Sequence, residues 1–286
     1  MDYQIFAPSE ELKDLVQCFW TLESDPNAPT PKDYFLMADS CPEIIFQYNE
    51  GFQGYAAQSA RIRFQHSIPD KFDVGKKVGF FGVRLYPHAV GQLLNIPANE
   101  IVNHVFDFSD LFKREGGYLA DQIYCAIKTP ERIARVSDYL TKRASVQKMD
   151  PIKYFVDQVI GYRGSVDISM MQQSSGLSIK QFERRFKAIA GFPPKYFARI
   201  VRFQAIKDTY SLSQFSSMTS LAYSCDYFDQ SHFNREFKEF SGVQPLKYFK
   251  PLHQKNNRSS NKYNINLLNT SKQPLFDGYL PCGWFV

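Results

Sequence analysis

The sequence predicts an α+β chain: a β-rich N-terminal domain that also carries helices, then an all-α domain built on two helix-turn-helix units. Three observations predict it. Aromatic and β-branched runs separated by turn residues dominate the first 85 or so residues. A short pattern occurs twice, as Phe-Glu-Arg-Arg-Phe-Lys at 182–187 and Phe-Asn-Arg-Glu-Phe-Lys at 233–238, with a constant offset of 51. The charge is divided unevenly between the two parts. Residues 1–147 hold 15 Lys/Arg against 19 Asp/Glu, a net −4, whereas residues 148–253 hold 15 against 9, a net +6. Residues 254–286 add 4 against 1.

Taken in order, Glu43-Ile44-Ile45-Phe46-Gln47-Tyr48 and the run from Val78 to Tyr86 read as strands. From Pro87 the pattern turns helical. Thr129-Pro130-Glu131 reads as an N-cap, a first-turn proline and an acid favoured by the helix dipole. Ile133, Val136 and Leu140 follow at helical spacing, either as a seam for a homodimer or as packing against their own domain. Asp150-Pro151 is the next start signal. The boundary falls in 144–149, dividing the chain into 1–147, 148–250 and a polar tail, 251–286, whose Asn, Ser and Lys content points to flexibility.

In the first repeat (about 167–190), Ile168 and Met171 mark a short helix, Gly176-Leu177 a turn and Ser178 an N-cap. At about 100° per residue, Phe182, Phe186 and Ile189 share one face of the next helix. Lys180, Glu183, Arg184 and Lys187 share a nearly opposite one. In the second (about 217–241), Met218 and Leu221 mark the short helix at an offset of 50, so the turn carries one extra residue. Asp229 is the cap, and Phe233, Phe237 and Phe240 face inward. Ser231, Asn234, Arg235 and Lys238 face outward, with Gln230 at the N-terminal edge. Pro194 to about Leu212 forms a linking helix carrying Arg199, Arg202 and Lys207. A duplicated, capped helical unit with a basic outer face is suited to two neighbouring stretches of a polyanion, and duplex DNA is the obvious candidate.

Several classes are disfavoured. No apolar run approaches the ~18 residues of a membrane span. Met1-Asp2-Tyr3-Gln4 lacks a signal-peptide layout. The five cysteines are scattered and never spaced Cys-x-x-Cys, which fits a reducing cytoplasm. His66, His88 and His104 have no partner at metal-ligand spacing, and no phosphate loop or nucleophile motif is present. We therefore expect no metal, no cofactor and no enzymatic activity.

Gly176-Leu-Ser-x-Lys-x-Phe-x-Arg-x-Phe-Lys187, and Tyr227-Phe-Asp-Gln-Ser-His-Phe-Asn-Arg-Glu-Phe-Lys238 with Gly242-Val-Gln-Pro-Leu-Lys-Tyr248, resemble the AraC/XylS family of bacterial transcription regulators over roughly 150–250. The resemblance implies a homeodomain-like double helix-turn-helix fold whose second helices enter the major groove. It implies double-stranded DNA and RNA polymerase as partners. Two residues depart from the family pattern. Gln172 stands where a small Ala is usual and is expected to loosen the first unit. Asp226 stands where Gly is usual and must accept a conformation easier for Gly.

With that docking, Arg184 and Arg235 suit guanine, Gln230 and Asn234 adenine, and Glu183 the cytosine amino group; Lys180 and Ser231 share the base-reading face. Lys187 and Lys238 lie further along and suit phosphates. Asp39-Ser40-Cys41-Pro42-Glu43-Ile44-Ile45-Phe46, and Val83-Arg84-Leu85-Tyr86-Pro87 leading to Leu94-Asn95-Ile96-Pro97, resemble an uncharacterised N-terminal domain of some AraC-type regulators. This implies a β-rich, cupin-like sensor or dimerisation domain. Trp20, Phe46, Tyr48, Arg84 and Tyr86 are candidates for a small-molecule effector pocket; the alternative is a set of core aromatics and a surface arginine. Three readings stay open: an effector-responsive regulator, a regulator whose N-terminal domain only dimerises or binds a protein, and a DNA-modifying enzyme. The last rests on Pro281-Cys282-Gly283, which resembles the nucleophile of DNA alkyl-transfer proteins but lacks the His-Arg that follows it there.

Overall fold

A computed structural model describes residues 2–23, 34–48, 59–72, 79–144, 150–212, 215 and 217–249. The expected 251–286 tail, with Cys282, lies outside them, as does most of the expected boundary. The N-terminal part holds β1 (Asp2–Phe6), β2 (Val16–Glu23), β3 (Tyr34–Leu36), β4 (Glu43–Gln47), β5 (Ser59–Arg63), β6 (Asp70–Phe72), β7 (Gly79–Leu85) and β8 (Val105–Asp107). Six form one antiparallel sheet in the order β1-β2-β7-β4-β5-β8, and β3 pairs β6 separately. Helices α1 (Ala89–Leu94), α2 (Phe108–Cys125) and α3 (Thr129–Arg143) follow. Strand β8 interrupts the stretch after Pro87 that reads as helical, because three residues are too few for a periodic signal. Thr129 is the first residue of α3 and Lys128 its cap position, one residue from the expected boundary.

Strand alternation sends neighbouring rows of the sheet to opposite faces. The row Phe19–Val83–Ile44 and the row of Phe81 and Phe46 pack under the helices, with Phe108, Phe112, Leu119, Ile123, Val136 and Leu140. Val136 and Leu140 are wholly buried there, so this stripe packs on its own domain and is no dimer seam. On the other face, Trp20 is buried with Cys18, Leu22 and Phe80. Its partner across the ladder is Gly82.

The C-terminal part is helical: α4 (Lys153–Gly161), α5 (Ile168–Ser174), α6 (Ile179–Ala190), α7 (Pro194–Leu212), α8 (Met218–Ser224) and α9 (Gln230–Ser241), with a last helical stretch over 245–249. The two repeats are α5-turn-α6 and α8-turn-α9. Phe182, Phe186, Phe233, Phe237 and Phe240 are all buried in one cluster, and Ile189 packs against it. Met37 and Ala38, from the loop between β3 and β4, belong to that same cluster. Among the described residues no helix is long and apolar enough to cross a membrane.

A Cβ on Gly82 would lie 1.9 Å from Trp20 Cε2. The indole is fully buried and has nowhere to retreat. Gly82→Ala is therefore expected to lower stability by about 3 kcal/mol, the upper range for overpacking a core, read as a fall in the urea midpoint at unchanged slope.

Candidate nucleic-acid interface

Each repeat is closed by local chemistry. Ser178 begins α6 with a capping box: its Oγ accepts from Gln181 N, and Gln181 Oε1 accepts from Ser178 N. Asp229 begins α9 by accepting from His232 N at 2.7 Å. Gly191 and Gly242 end the two helices at φ 83° and 76°, where an L side chain is strained. Gln172 fills the seam of the first unit rather than leaving it slack: its Nε2 donates to the Leu177 carbonyl at 2.5 Å. Asp226 adopts φ 57°, and its carboxylate accepts from Ser165 Oγ.

Lys180, Glu183, Arg184 and Lys187 on α6, and Ser231, Arg235 and Lys238 on α9, are exposed; Gln230 and Asn234 are half-buried. Gln230 Oε1 accepts from Thr219 Oγ1 at 2.7 Å, which ties the edge of α9 to α8. No side-chain hydrogen bond or ion pair to a described residue engages the other eight. Three other arginines are handled differently. Arg185 pairs with Asp150 at 2.6 Å. Arg199 bonds Glu236 at 2.7 Å and Glu239 at 2.5 Å, and Arg202 bonds Glu236 at 3.1 Å. Glu236 is buried on the inner side of α9 and also accepts from Tyr227 OH at 2.7 Å. Arg199 and Arg202, which read in sequence as basic residues of the linking helix, thus lock α7 to α9.

The N-terminal part meets the opposite ends of the same helices. The 3₁₀ turn Ala98–Glu100 packs against α6, and a Cβ on Gly191 would lie 2.6 Å from Val102 Cγ1. At α9, Ala38 N donates to the Phe240 carbonyl at 2.9 Å, and Pro69 lies beside Gly242. Beneath this contact runs a buried row of charge. Arg84, Glu43 and Arg63 stand in register across β7, β4 and β5. Arg84 bonds Asp39 at 2.6 and 2.8 Å and Glu43 at 3.0 Å; Arg63 bonds Glu43 at 2.6 Å. From α7, Gln204 Nε2 donates to Asp39 Oδ1 at 2.8 Å, and its Oε1 accepts from Ser40 Oγ at 2.6 Å. Burial alone would raise the Asp39 pKa, but the Arg84 guanidinium holds it below the ordinary value. Sequence reasoning missed this seam. The one local signal was charge inside otherwise apolar strands.

The five candidate pocket residues do not converge. Trp20 and Phe46 lie in separate clusters on opposite faces of the sheet. Arg84 belongs to the charged row. Tyr48 donates to Glu23 Oε1 at 2.8 Å and lies under Arg132, and Tyr86 stacks on His88. Among the described residues no His/Cys/Asp/Glu group could hold a metal ion.

With this geometry in place, comparison with known proteins decides the class. Residues 172–251 match the family described as Helix-turn-helix domain. They form an AraC-type helix-turn-helix domain. The presence of this domain supports a DNA-binding transcription regulator. Residues 4–107 match the family described as Domain of unknown function (DUF6597). No curated protein matches the chain significantly. Among solved structures, ToxT from Vibrio cholerae is similar at 11% identity over 81% of this chain and 98% of that one, with a TM-score of 0.44. Its complex with (E)-4-(8-methylnaphthalen-1-yl)but-3-enoic acid aligns at 10% identity over 88% and 100%, TM-score 0.45. The unsaturated fatty acid-bound wild-type ToxT aligns at 12% over 82% and 93%, TM-score 0.42. At these scores the likeness carries no argument about this chain. In the AraC-type domain both α6 and α9 are gripped at their C-terminal ends by the N-terminal part.

Two buried histidines, His66 beside Asp39 and His88 facing α4, titrate abnormally. Burial, then the Arg63 guanidinium, push His66 down to about 3 against the pull of Asp39. Burial and Lys153 push His88 down to about 4, opposed by Asp14 and Asp157. Both folded values lie below the unfolded 6.5, so the unfolded state takes up more protons as pH falls through 6.5. Stability present at neutral pH is therefore lost on acidification, by about 2 kcal/mol per histidine at about pH 5. Thermal melts between about pH 7.5 and pH 5 should show the drop, and His66→Gln should remove about half of it, leaving the share of His88.

Proposed function

We propose that this regulator reads two adjacent major-groove segments with α6 and α9, and that its N-terminal part controls how the two are held. Residues 148–250 are the DNA-binding unit in this reading, and residues 1–147 the controlling one. Arg184, Arg235, Gln230, Asn234, Glu183, Lys180 and Ser231 read bases; Lys187 and Lys238 hold phosphates. The observation that carries the reading is the division of basic side chains. Arg185, Arg199 and Arg202, on inner and lateral faces, are paired with carboxylates, while the basic residues of the two outer stripes are exposed and make no ion pair with a described residue. A charge left unpaired on a repeated face is available to an external anion.

Linking helix α7 has 19 residues, a rise of roughly 28 Å. That is close to the ~34 Å between successive major-groove faces on one side of B-DNA. A small-molecule effector would act through the seam, since Asp39 and Ser40 bond α7 and Ala38 bonds α9. The five scattered aromatic and arginine positions give such a ligand no single pocket.

Selection of bound duplexes from a random pool by the full chain, followed by footprinting, tests the reading. Protection of two successive turns on one face of the duplex is expected; protection of one half-turn per chain would overturn it. Arg184→Ala should cost about 1–3 kcal/mol and relax preference at one position. An equal loss on every sequence would make Arg184 a phosphate contact. Lys187→Ala should weaken all sequences alike and reduce the salt slope by about 1.

A further inference from the structure

The two turns differ by one residue, and that residue is Phe228. Counting from the left-handed turn positions, Gly176 and Asp226, the next residues are Leu177 and Tyr227. In the first unit Ser178 caps α6 at once. In the second, Phe228 intervenes before the cap Asp229. In an ordinary helix start, the residue before the cap packs on the residue four positions into the helix. Leu177 does this kind of work in the first unit, half-buried against the cluster that holds Phe182. In the second unit the task passes to Tyr227. It is buried, its ring meets Phe233 edge-on at 5.3 Å, and its hydroxyl donates to Glu236. Phe228 is released and stands 86% exposed.

Single exposed apolar residues are common, so exposure alone decides nothing. Position does. Phe228 sits between a buried residue and a capping residue, and the turn behind it is fixed by Asp226 at φ 57° and by the bond from Ser165. Its backbone is therefore held at the N-terminal edge of α9, next to Gln230 and Ser231. Recognition helices present that edge to base pairs. The feature of the major groove that welcomes an apolar ring is the thymine 5-methyl group.

We infer that Phe228 is a base-contacting residue of the second unit and reads a thymine methyl beside the bases met by Gln230 and Asn234. This rests on α9 being the recognition helix. The first unit has no counterpart, so the second half-site is the one with the thymine requirement.

The test uses the full chain and the duplex it enriches from a random pool, with each thymine replaced in turn by deoxyuridine. Losing one buried methyl should weaken wild-type binding about three- to fivefold at one or two positions of one half-site. Phe228→Ser should lose a similar factor on the thymine duplex and become indifferent to uracil there, with an unchanged melting temperature. Phe228→Leu should keep part of the sensitivity. A wild type insensitive to uracil everywhere overturns the inference. So does a Phe228→Ser protein that keeps full affinity and full uracil sensitivity, which would leave the ring to a protein partner. If the wild type enriches no sequence at all, the reading of α9 itself fails, an outcome distinct from either of these.

Discussion

The bidentate grip of Asp39 on Arg84 holds this molecule's parts in their arrangement. Arg84 is buried in a strand, and a lone guanidinium there would be prohibitive. It is tolerated because Asp39 and Glu43 neutralise it and Gln17 Oε1 accepts from its Nε at 3.0 Å. Asp39 in turn is tolerated because Gln204 reaches it from α7. Each group needs the next, so the row is satisfied only when the loop at 37–41, the sheet and the linking helix are together. Desolvation offsets much of the Coulomb gain in such a cluster. Its contribution is geometric: an apolar contact of this size could slide, whereas a satisfied polar network has one register.

The same logic separates the arginines of the DNA-binding part. Arg185, Arg199 and Arg202 look like their neighbours in a helical wheel of this basic domain, yet each is tied to a carboxylate on another segment. Glu236 is the pivot, since one buried carboxylate collects two arginines and a tyrosine. An acid at this point of α9 would add negative charge to the outer stripe if it faced outward. Turned inward, it fixes α9 on α7 and leaves the outer stripe positive.

What was legible in the sequence was local. Caps at Ser178 and Asp229, inward phenylalanines and the turn at Gly176 all follow from spacing within a dozen residues. The role of Arg84 was not legible, because it depends on the register Cys18–Arg84–Glu43–Arg63 across four strands and on a loop inserted from elsewhere. Trp20 and Phe46 looked like partners for the same reason. Only the pairing of β2 with β7 and of β7 with β4 reveals that they point to opposite faces. Arg199 and Arg202 needed Glu236, 37 and 34 residues away, before their task could be read.

The duplication explains how one domain can hold two like helices, α6 and α9, at once. Because the units are direct repeats, α6 and α9 have the same chain polarity relative to their own cores. Both end in glycine, and the N-terminal part packs at both ends, through Val102 at Gly191 and Pro69 at Gly242. The C-terminal ends carry partial negative charge and the N-terminal ends partial positive charge. Contact at the C-terminal ends thus leaves free the ends that favour an anion. Any movement of the loop at Ala38 acts on α9 through the Phe240 carbonyl and on α7 through Gln204. A shift there would change the spacing of the two outer stripes without touching a residue on either of them. A controlling domain could work on a DNA-reading one in this way because the seam bonds α7 and the C-terminal end of α9 through residues that belong to neither outer stripe.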